Sequence, residues 1–192
     1  MLKKKILVSL MVIGLVSGGV GGGIYAAFSN TEAAASNILT AGTLDLKTND
    51  ADGVSGVLAA STMKPGDSVG PATVTLKNDG TIDGSTLDID ISYVESDGAF
   101  DPYGVNKTAD EFADEMVVNT LTYGGVDLLA LVTDADADGK DMKEVAATDL
   151  TSQAGIDAAA SKDFVIKVTL NDVGNDFQAD GIDVTINFVL NQ

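Results

Sequence analysis

Thr86-Leu87-Asp88-Ile89-Asp90-Ile91-Ser92-Tyr93 alternates apolar and polar side chains without a break. Successive side chains of a β-strand point to opposite faces, so this period of two predicts a strand with one buried face and one wet face. Similar alternation recurs at 44–46, 74–76, 164–170 and 182–190. These stretches predict a mainly β fold.

The segments between the alternating stretches contain turn and helix signals. Six Asp-Gly dipeptides, which begin at 52, 79, 83, 97, 138 and 180, predict turns that need positive φ angles. Lys64-Pro65-Gly66-Asp67 predicts a further turn. Two helices are predicted, one over 108–115 with Thr108 as cap and one over 148–160 with Thr148 or Asp149 as cap. Strands joined by turns, with short helices in the connections, predict a β-sandwich of jelly-roll type.

The N-terminus resembles an export signal. Lys3-Lys4-Lys5 precedes an apolar run over 6–20, and Ala26 and Ala27 offer small side chains to a signal peptidase. The alternative, an uncleaved membrane anchor, needs about twenty apolar residues, and glycines interrupt the run first. We therefore predict a signal peptide over 1–26, an extended N-terminal arm over 27–38 and one jelly-roll domain over 39–192.

Composition excludes several classes of function. The formal net charge is −18, and without residues 1–26 the eight remaining lysines face 29 acidic residues, which gives −21. Such a surface repels nucleic acid and anionic membranes, so we expect no nucleic-acid partner and membrane contact only before cleavage. The absence of histidine and cysteine removes Ser-His-Asp and Cys-His catalysis, the usual zinc sites and disulfides. A non-enzyme is predicted.

One acidic segment has the pattern of a calcium loop. Asp134-Ala135-Asp136-Ala137-Asp138-Gly139 places carboxylates at positions one, three and five and glycine at six, so that alternate residues converge on a hard cation. Position twelve is Val145 instead of an acid, so the loop is non-standard. A structural Ca²⁺ is the predicted cofactor, and an acidic hairpin turn without metal is the alternative. The candidate ligands are Asp134, Asp136, Asp138, Lys140 through its carbonyl, Asp141 and Glu144.

A second surface motif is a modification signal. Asn106-Lys107-Thr108 matches the acceptor sequence for N-glycosylation. Asn106 is therefore a candidate glycosylation site, whose use depends on the organism.

Four stretches in chain order carry a resemblance to one known family. They are Gly21-Gly22-Gly23-Ile24-Tyr25-Ala26-Ala27-Phe28, Ala41-Gly42-Thr43-Leu44-Asp45-Leu46, Met63-Lys64-Pro65-Gly66-Asp67 with Asn78-Asp79-Gly80, and Asn175-Asp176-Phe177-Gln178-Ala179 with Asn187-Phe188 and Gln192. Each stretch is weak alone, and together they span nearly the whole chain, although the region 95–165 is matched only by its helix-like segment 108–115. The chain thus resembles the TasA/camelysin family of secreted matrix-fibre proteins.

The resemblance implies a secreted subunit that polymerises head to tail into pili or biofilm-matrix fibres. The N-terminal arm of one subunit would complete the sheet of the next by donor-strand complementation, with Phe28 as an anchor. A monomeric, calcium-stabilised adhesin or surface-layer component is the alternative. The metallopeptidase activity described for camelysin is not expected, because the chain lacks the His-Glu-x-x-His motif. The arm residues implied are Ala27, Phe28, Ser29, Asn30, Thr31, Ile38 and Leu39.

Overall fold

The computed structural model describes residues 29–32, 43–49, 58, 63–96, 106–177 and 179–192. The predicted signal peptide and its cleavage site at Ala26 and Ala27 lie outside these residues, as do Phe28, Ile38 and Leu39 of the predicted arm. Among the residues described, none of the helices has the length and apolar character needed to cross a membrane.

The strands of the described residues form two antiparallel sheets. In chain order they are β1 (Ser29–Glu32), β2 (Leu46–Thr48), β3 (Ser68–Asn78), β4 (Thr86–Glu95), β5 (Met116–Tyr123), β6 (Val126–Asp127), β7 (Leu150–Ala154), β8 (Ser161–Leu170) and β9 (Ile182–Asn191). One sheet has the order β1-β9-β4-β7 and the other β2-β3-β8-β5-β6. Consecutive strands lie in different sheets after β1, β3, β4, β6, β7 and β8. The predicted mainly β sandwich of jelly-roll type is confirmed.

The two sheets enclose one apolar core. Leu87, Ile89 and Ile91 of β4 are buried, as the alternation predicted, and they belong to the same cluster as the inner residues of β8. Phe164 of β8 meets Phe188 of β9 edge-on, with ring centroids 5.2 Å apart. Each fully buried large apolar side chain contributes about 1.5–3 kcal/mol to folding. The sandwich is held by this contact between sheets.

Short helices lie in the connections. The first, α1 (Ala109–Asp114), is capped by Thr108, whose hydroxyl accepts from Glu111 N while the Glu111 carboxylate accepts from Thr108 N at 2.9 Å. This capping box confirms the helix predicted over 108–115. Two 3₁₀ turns lie at Leu129–Leu131 and Asn175–Phe177.

The helix predicted over 148–160 is wrong. The chain forms β7 there, and a helix missed by the prediction, α2 (Met142–Ala147), ends just before it. Leu150 lies opposite Ile89 of β4 and is 1% exposed, so tertiary burial overrides the helical preference of the alanines. Gly155 also lies so close to Gly84 that a Cβ on Gly155 would be 2.0 Å from the carbonyl oxygen of Gly84.

The predicted turns divide into two kinds. Lys64–Asp67 forms the expected turn, with Gly66 at φ +84° and Asp67 N donating to Lys64 O at 2.9 Å. Among the described Asp-Gly pairs only Gly139 has a positive φ, so that part of the prediction is wrong. At least one of the other glycines in these pairs is needed for close packing, because a Cβ at Gly80 would lie 1.8 Å from Thr43 O.

The Asn78 side chain joins three separate stretches of chain. It is 0% exposed, and its amide nitrogen donates to Ile82 O and Ile156 O, both at 2.9 Å. Its amide oxygen accepts from Gly80 N at 2.9 Å and from Asp45 N at 3.5 Å. A buried amide with its hydrogen bonds satisfied in this way fixes one arrangement of the loops.

We expect Asn78→Ala to lower the free energy of unfolding by about 3 kcal/mol or more, because it leaves buried donors and acceptors unpaired. Urea unfolding measures the change. Asn119→Ala, on the exposed face of β5, is the matched control. Its side chain accepts one solvent-exposed hydrogen bond from Thr169 Oγ1, so the variant should cost no more than about 1 kcal/mol. Equal losses for the two variants would contradict this role for Asn78.

Candidate functional site

Strand β1 lies at the edge of the first sheet and covers only part of its neighbour. Ser29 is opposite Asn191 and Glu32 is opposite Phe188, so β1 pairs with the last four residues of β9. On its other side β9 pairs with β4 from Ile182 to Asn191. Over 182–187, no other described strand lies on the β1 side of β9. Ser29, Asn30 and Thr31 of the predicted arm are therefore in a strand at a sheet edge.

An apolar cleft of about 750 Å³ lies beside the uncovered part of β9. Ile182 and Val184 of β9 line it, together with Phe112 of α1 and Met142 of α2. Because β1 is antiparallel to β9, its direction past Glu32 follows β9 towards Ile182 and the cleft. Other apolar residues of the lining are Leu58, Met63, Val69, Met116, Val168, Leu170, Val173 and Phe177. The cleft also has a polar part, lined by Ser96, Asn175, Asp180 and Asp183.

The second candidate site is the acidic segment between β6 and α2. Carboxylate oxygens of Asp134, Asp136 and Asp138 lie within 4.8 Å of one another on the exposed side of the loop. A second group, with the same separation, consists of Asp136, Asp141 and Asp114, the last residue of α1. The two groups share Asp136, so the segment brings carboxylates together as the sequence predicted and adds one from a distant helix.

Two carboxylate oxygens in this segment have no hydrogen-bond partner among the described residues. Asp141 is 0% exposed; its Oδ1 accepts from Glu144 N at 2.9 Å as the cap of α2, and its Oδ2 is unpaired. Glu144 accepts from Ala135 N through Oε1, and its buried Oε2 is unpaired. Such groups cost free energy unless a proton or a cation joins them.

The electrostatics of the segment follow from this crowding. Burial raises the pKa of Asp141 to about 6, and the charges of Glu144 and Asp114 add to the effect. A hydrogen bond with Asp136 raises the pKa of Asp138, as do partial burial and the neighbouring charges. Burial is the main cause at Asp141 and the hydrogen bond between two carboxyl groups is the main cause at Asp138, so both environments favour the protonated form.

The remaining predicted residues have other contacts. The carbonyl of Lys140 accepts from Val118 N at 2.8 Å, and its ammonium donates to Leu129 O. The exposed Asn106 donates to a carboxylate oxygen of Glu95 at 3.3 Å. The sequence prediction missed Asp114, since its place on a capped helix indicated only a solvated face. Asp114 is also paired with Lys143 Nζ at 2.7 Å.

We expect Asp141→Asn to stabilise the protein by about 1–2 kcal/mol in chelator at pH 7.5. The pKa of Asp141 in the folded state lies above its ordinary value of 3.8, so its contribution to stability falls as the pH rises from about 4 to 6. Asparagine keeps an oxygen for the cap and removes the buried charge. Urea unfolding measures the change.

The matched control is the exposed Asp172→Asn, which should change the free energy of unfolding by less than about 0.5 kcal/mol. A loss of stability in Asp141→Asn, with chelator present, would contradict the cost assigned to the buried carboxylate.

Comparison with known proteins places the chain in a family. The sequence profile described as "Camelysin metallo-endopeptidase" matches residues 1–192. No curated protein matches the chain. The match runs from the N-terminal apolar run to the closing strand β9, in agreement with the four resembling stretches. The chain therefore belongs to the camelysin family, also called the TasA/camelysin family, of secreted or cell-surface matrix proteins.

Proposed function

We propose that the protein is a secreted structural subunit that polymerises head to tail into extracellular pili or biofilm-matrix fibres by donor-strand complementation. The pairing of β1 with the edge of β9 is the observation that carries the proposal. The family match supports the secreted, fibre-type role. The partner is a second copy of the same chain, whose β9 edge accepts the arm.

The energetics of strand exchange support this assembly. Strand pairing draws its affinity from main-chain hydrogen bonds, which are the same whether the arm comes from the same chain or from a neighbour. Exchange of an identical element between subunits therefore costs little, and a contact that does not close on itself produces an open filament. The protein concentration and the connection from Glu32 to Thr43 then determine whether the chain forms a closed monomer or a polymer.

The length of the arm suits the length of the edge. Twelve residues, 27–38, span about 40 Å when extended, and the ten residues of β9 span about 34 Å. A donated arm is thus long enough to continue past Glu32 along the uncovered part of β9 and to reach the cleft. Phe28 and Ile38 are its large apolar side chains and Leu39 follows directly; these three are the proposed anchors.

Export prepares the arm for donation. Signal peptidase cleavage near Ala26 or Ala27 would free the segment that precedes β1 from the membrane. An uncleaved chain would keep the arm tethered beside the apolar run 6–20. We therefore propose that cleavage precedes assembly and that the mature subunit is extracellular.

The donor set of the acidic segment favours a hard cation. Carboxylates without imidazole or thiolate suit calcium, which takes six to eight oxygen ligands. We propose calcium as a structural ion on the buried side of this segment, where Asp141 lies. Two unpaired oxygens, on Asp141 and Glu144, support this choice.

The family name describes a metallo-endopeptidase, and the residues present do not fit the catalytic zinc that it implies. Catalytic zinc sites use three protein ligands that nearly always include histidine or cysteine. The chain has neither, and its clustered donors are all carboxylates. We propose a structural protein without peptidase activity.

The same contact of β1 with its own β9 favours one other function. A chain that completes its own sheet is a closed unit, as a monomeric calcium-stabilised adhesin or surface-layer component would be. The two functions differ in a measurable way, because only the fibre subunit forms filaments at high concentration.

We expect deletion of 27–37 to abolish filaments seen by negative-stain electron microscopy. Replacing Asn30 and Thr31 together by proline should have the same effect without shortening the arm. Neighbouring residues of an antiparallel strand alternate in pointing their N–H groups at the partner, so one of the two prolines removes a donor to β9.

The matched control replaces Asn30 and Thr31 by alanine, which keeps both N–H groups and should keep the filaments. Circular dichroism verifies that each variant has a folded domain. Ordinary filaments from the deletion or from the proline variant would overturn donation by the arm.

We expect no peptidase activity in the purified protein. Incubation with unfolded casein, with and without added zinc, should release peptides no faster than buffer alone. Zinc-dependent cleavage that stays with the protein through a second purification step would contradict the structural assignment.

A further inference from the structure

A group of carboxylates from three elements lies next to the apolar cleft. It consists of Asp114 at the end of α1, Asp136 in the acidic loop and Asp141, which caps α2. This set differs from the calcium loop that the sequence indicates, because Asp114 is twenty-two residues away from Asp136 along the chain. It shares only Asp136 with the exposed group of Asp134 and Asp138.

Burial distinguishes this group from an ordinary acidic surface. Asp141 is 0% exposed, and its Oδ2 accepts no hydrogen bond within the described structure. An oxygen of the same carboxylate lies within 4.8 Å of oxygens of Asp114 and Asp136. The buried Oε2 of Glu144, one helical turn on, is also unpaired. If all of these carboxylates were in the exposed loop, water would hydrogen-bond to each of their oxygens.

The local positive charge does not balance these carboxylates. Lys143 pairs with Asp114 at 2.7 Å, and the ammonium of Lys140 is directed to Leu129 O. Among the described residues, neither Asp136 nor Asp141 forms a salt bridge with Lys140 or Lys143. A divalent cation supplies the missing charge and gives the buried oxygen a partner.

We propose that Asp114, Asp136 and Asp141 bind one divalent cation, of the calcium class, and that this ion fastens α1 to α2 at the wall of the cleft. Asp136 is exposed and Asp114 is half-buried, so water completes the coordination from the solvent side. Affinity is in the range of extracellular modules, about 10⁻⁴ to 10⁻³ M.

The position of the ion connects it to the cleft. Phe112 lies two residues before Asp114, and Met142 directly follows Asp141; both side chains line the cleft. An ion that joins Asp114 to Asp141 therefore fixes the two helices that present Phe112 and Met142. This consequence for assembly rests on the proposed function, in which the arm of a neighbouring subunit enters the cleft. The binding of the ion itself does not depend on whether the protein forms fibres.

The test measures thermal melting of the secreted protein in chelator and in 5 mM calcium or magnesium. This concentration is about tenfold above the expected dissociation constant. Calcium should raise the midpoint of the wild-type protein by about 3 °C. Asp114→Asn and Asp141→Asn should abolish the rise, and calorimetric titration should show binding weakened by about tenfold or more.

Two further variants separate the alternatives. Lys143→Met removes the ion pair of Asp114 without removing a ligand, and it should keep the calcium shift. Asp138→Asn removes a carboxylate of the exposed loop, and it should keep the shift as well. Absence of a shift in the wild-type protein, or its loss in Asp138→Asn while Asp114→Asn retains it, would overturn the three-element site.

Assembly provides the last measurement. Chelator should raise the protein concentration at which wild-type filaments first form, and Asp114→Asn should show that higher threshold in calcium too. If the melts follow the expected pattern but the threshold does not move, the role of the ion at the cleft is wrong. If the proline variant of the arm forms filaments while the melts follow the pattern, the proposed function fails and the cation site stands.

Discussion

The uncovered edge of β9 is the constraint on which the rest of the structure depends. A strand within a sheet has hydrogen-bonding groups on both sides, and those on an open side attract another strand. β4 satisfies one side of β9 over its whole length, whereas on the other side, within the described part of the chain, β1 pairs with only the last four residues. In the proposed assembly this edge strand is the one that is exchanged. Monomer and fibre would then be two ways to satisfy the same main-chain groups.

In the proposed assembly, the remainder of the sandwich stays fixed while that strand is exchanged. Phe164 and Phe188 join the two sheets through an edge-on contact, and the buried amide of Asn78 ties the chain at Asp45, Ile82 and Ile156. These contacts use neither β1 nor the cleft. Beside the cleft, the ion pair of Asp114 with Lys143 joins the helices α1 and α2 at their polar side. Phe112 and Met142 pack the same helices into the apolar core. The core therefore extends to the cleft that the proposed arm would reach.

The sequence predicted those features that depend on local pattern. Alternation over Thr86–Tyr93 indicated β4 with Leu87, Ile89 and Ile91 inward, and Thr108 as a cap indicated α1. Predictions failed where residues distant in the sequence determine the local structure. Leu150 lies opposite Ile89, and the alanine-rich segment there forms β7 instead of a helix. Gly80 is needed because Thr43 lies against it. Asp114 was missed for the same reason, since only the fold brings α1 to the acidic loop. The order of the strands, which places β1 beside β9, is equally a property of the whole chain.

Disulfide trapping of the arm tests the central claim most directly. Thr31 lies directly opposite Val189, and opposed residues of antiparallel strands are close enough for a disulfide. The chain has no cysteine, so a variant with Thr31→Cys and Val189→Cys has a single possible pair. Filaments of this variant, grown in reductant and then oxidised, should give a ladder of covalent oligomers on a denaturing gel, and Thr31→Cys alone should give no such ladder. Oxidised filaments that dissolve into monomers with an internal disulfide would show that each arm stays on its own subunit, which would contradict assembly by strand donation.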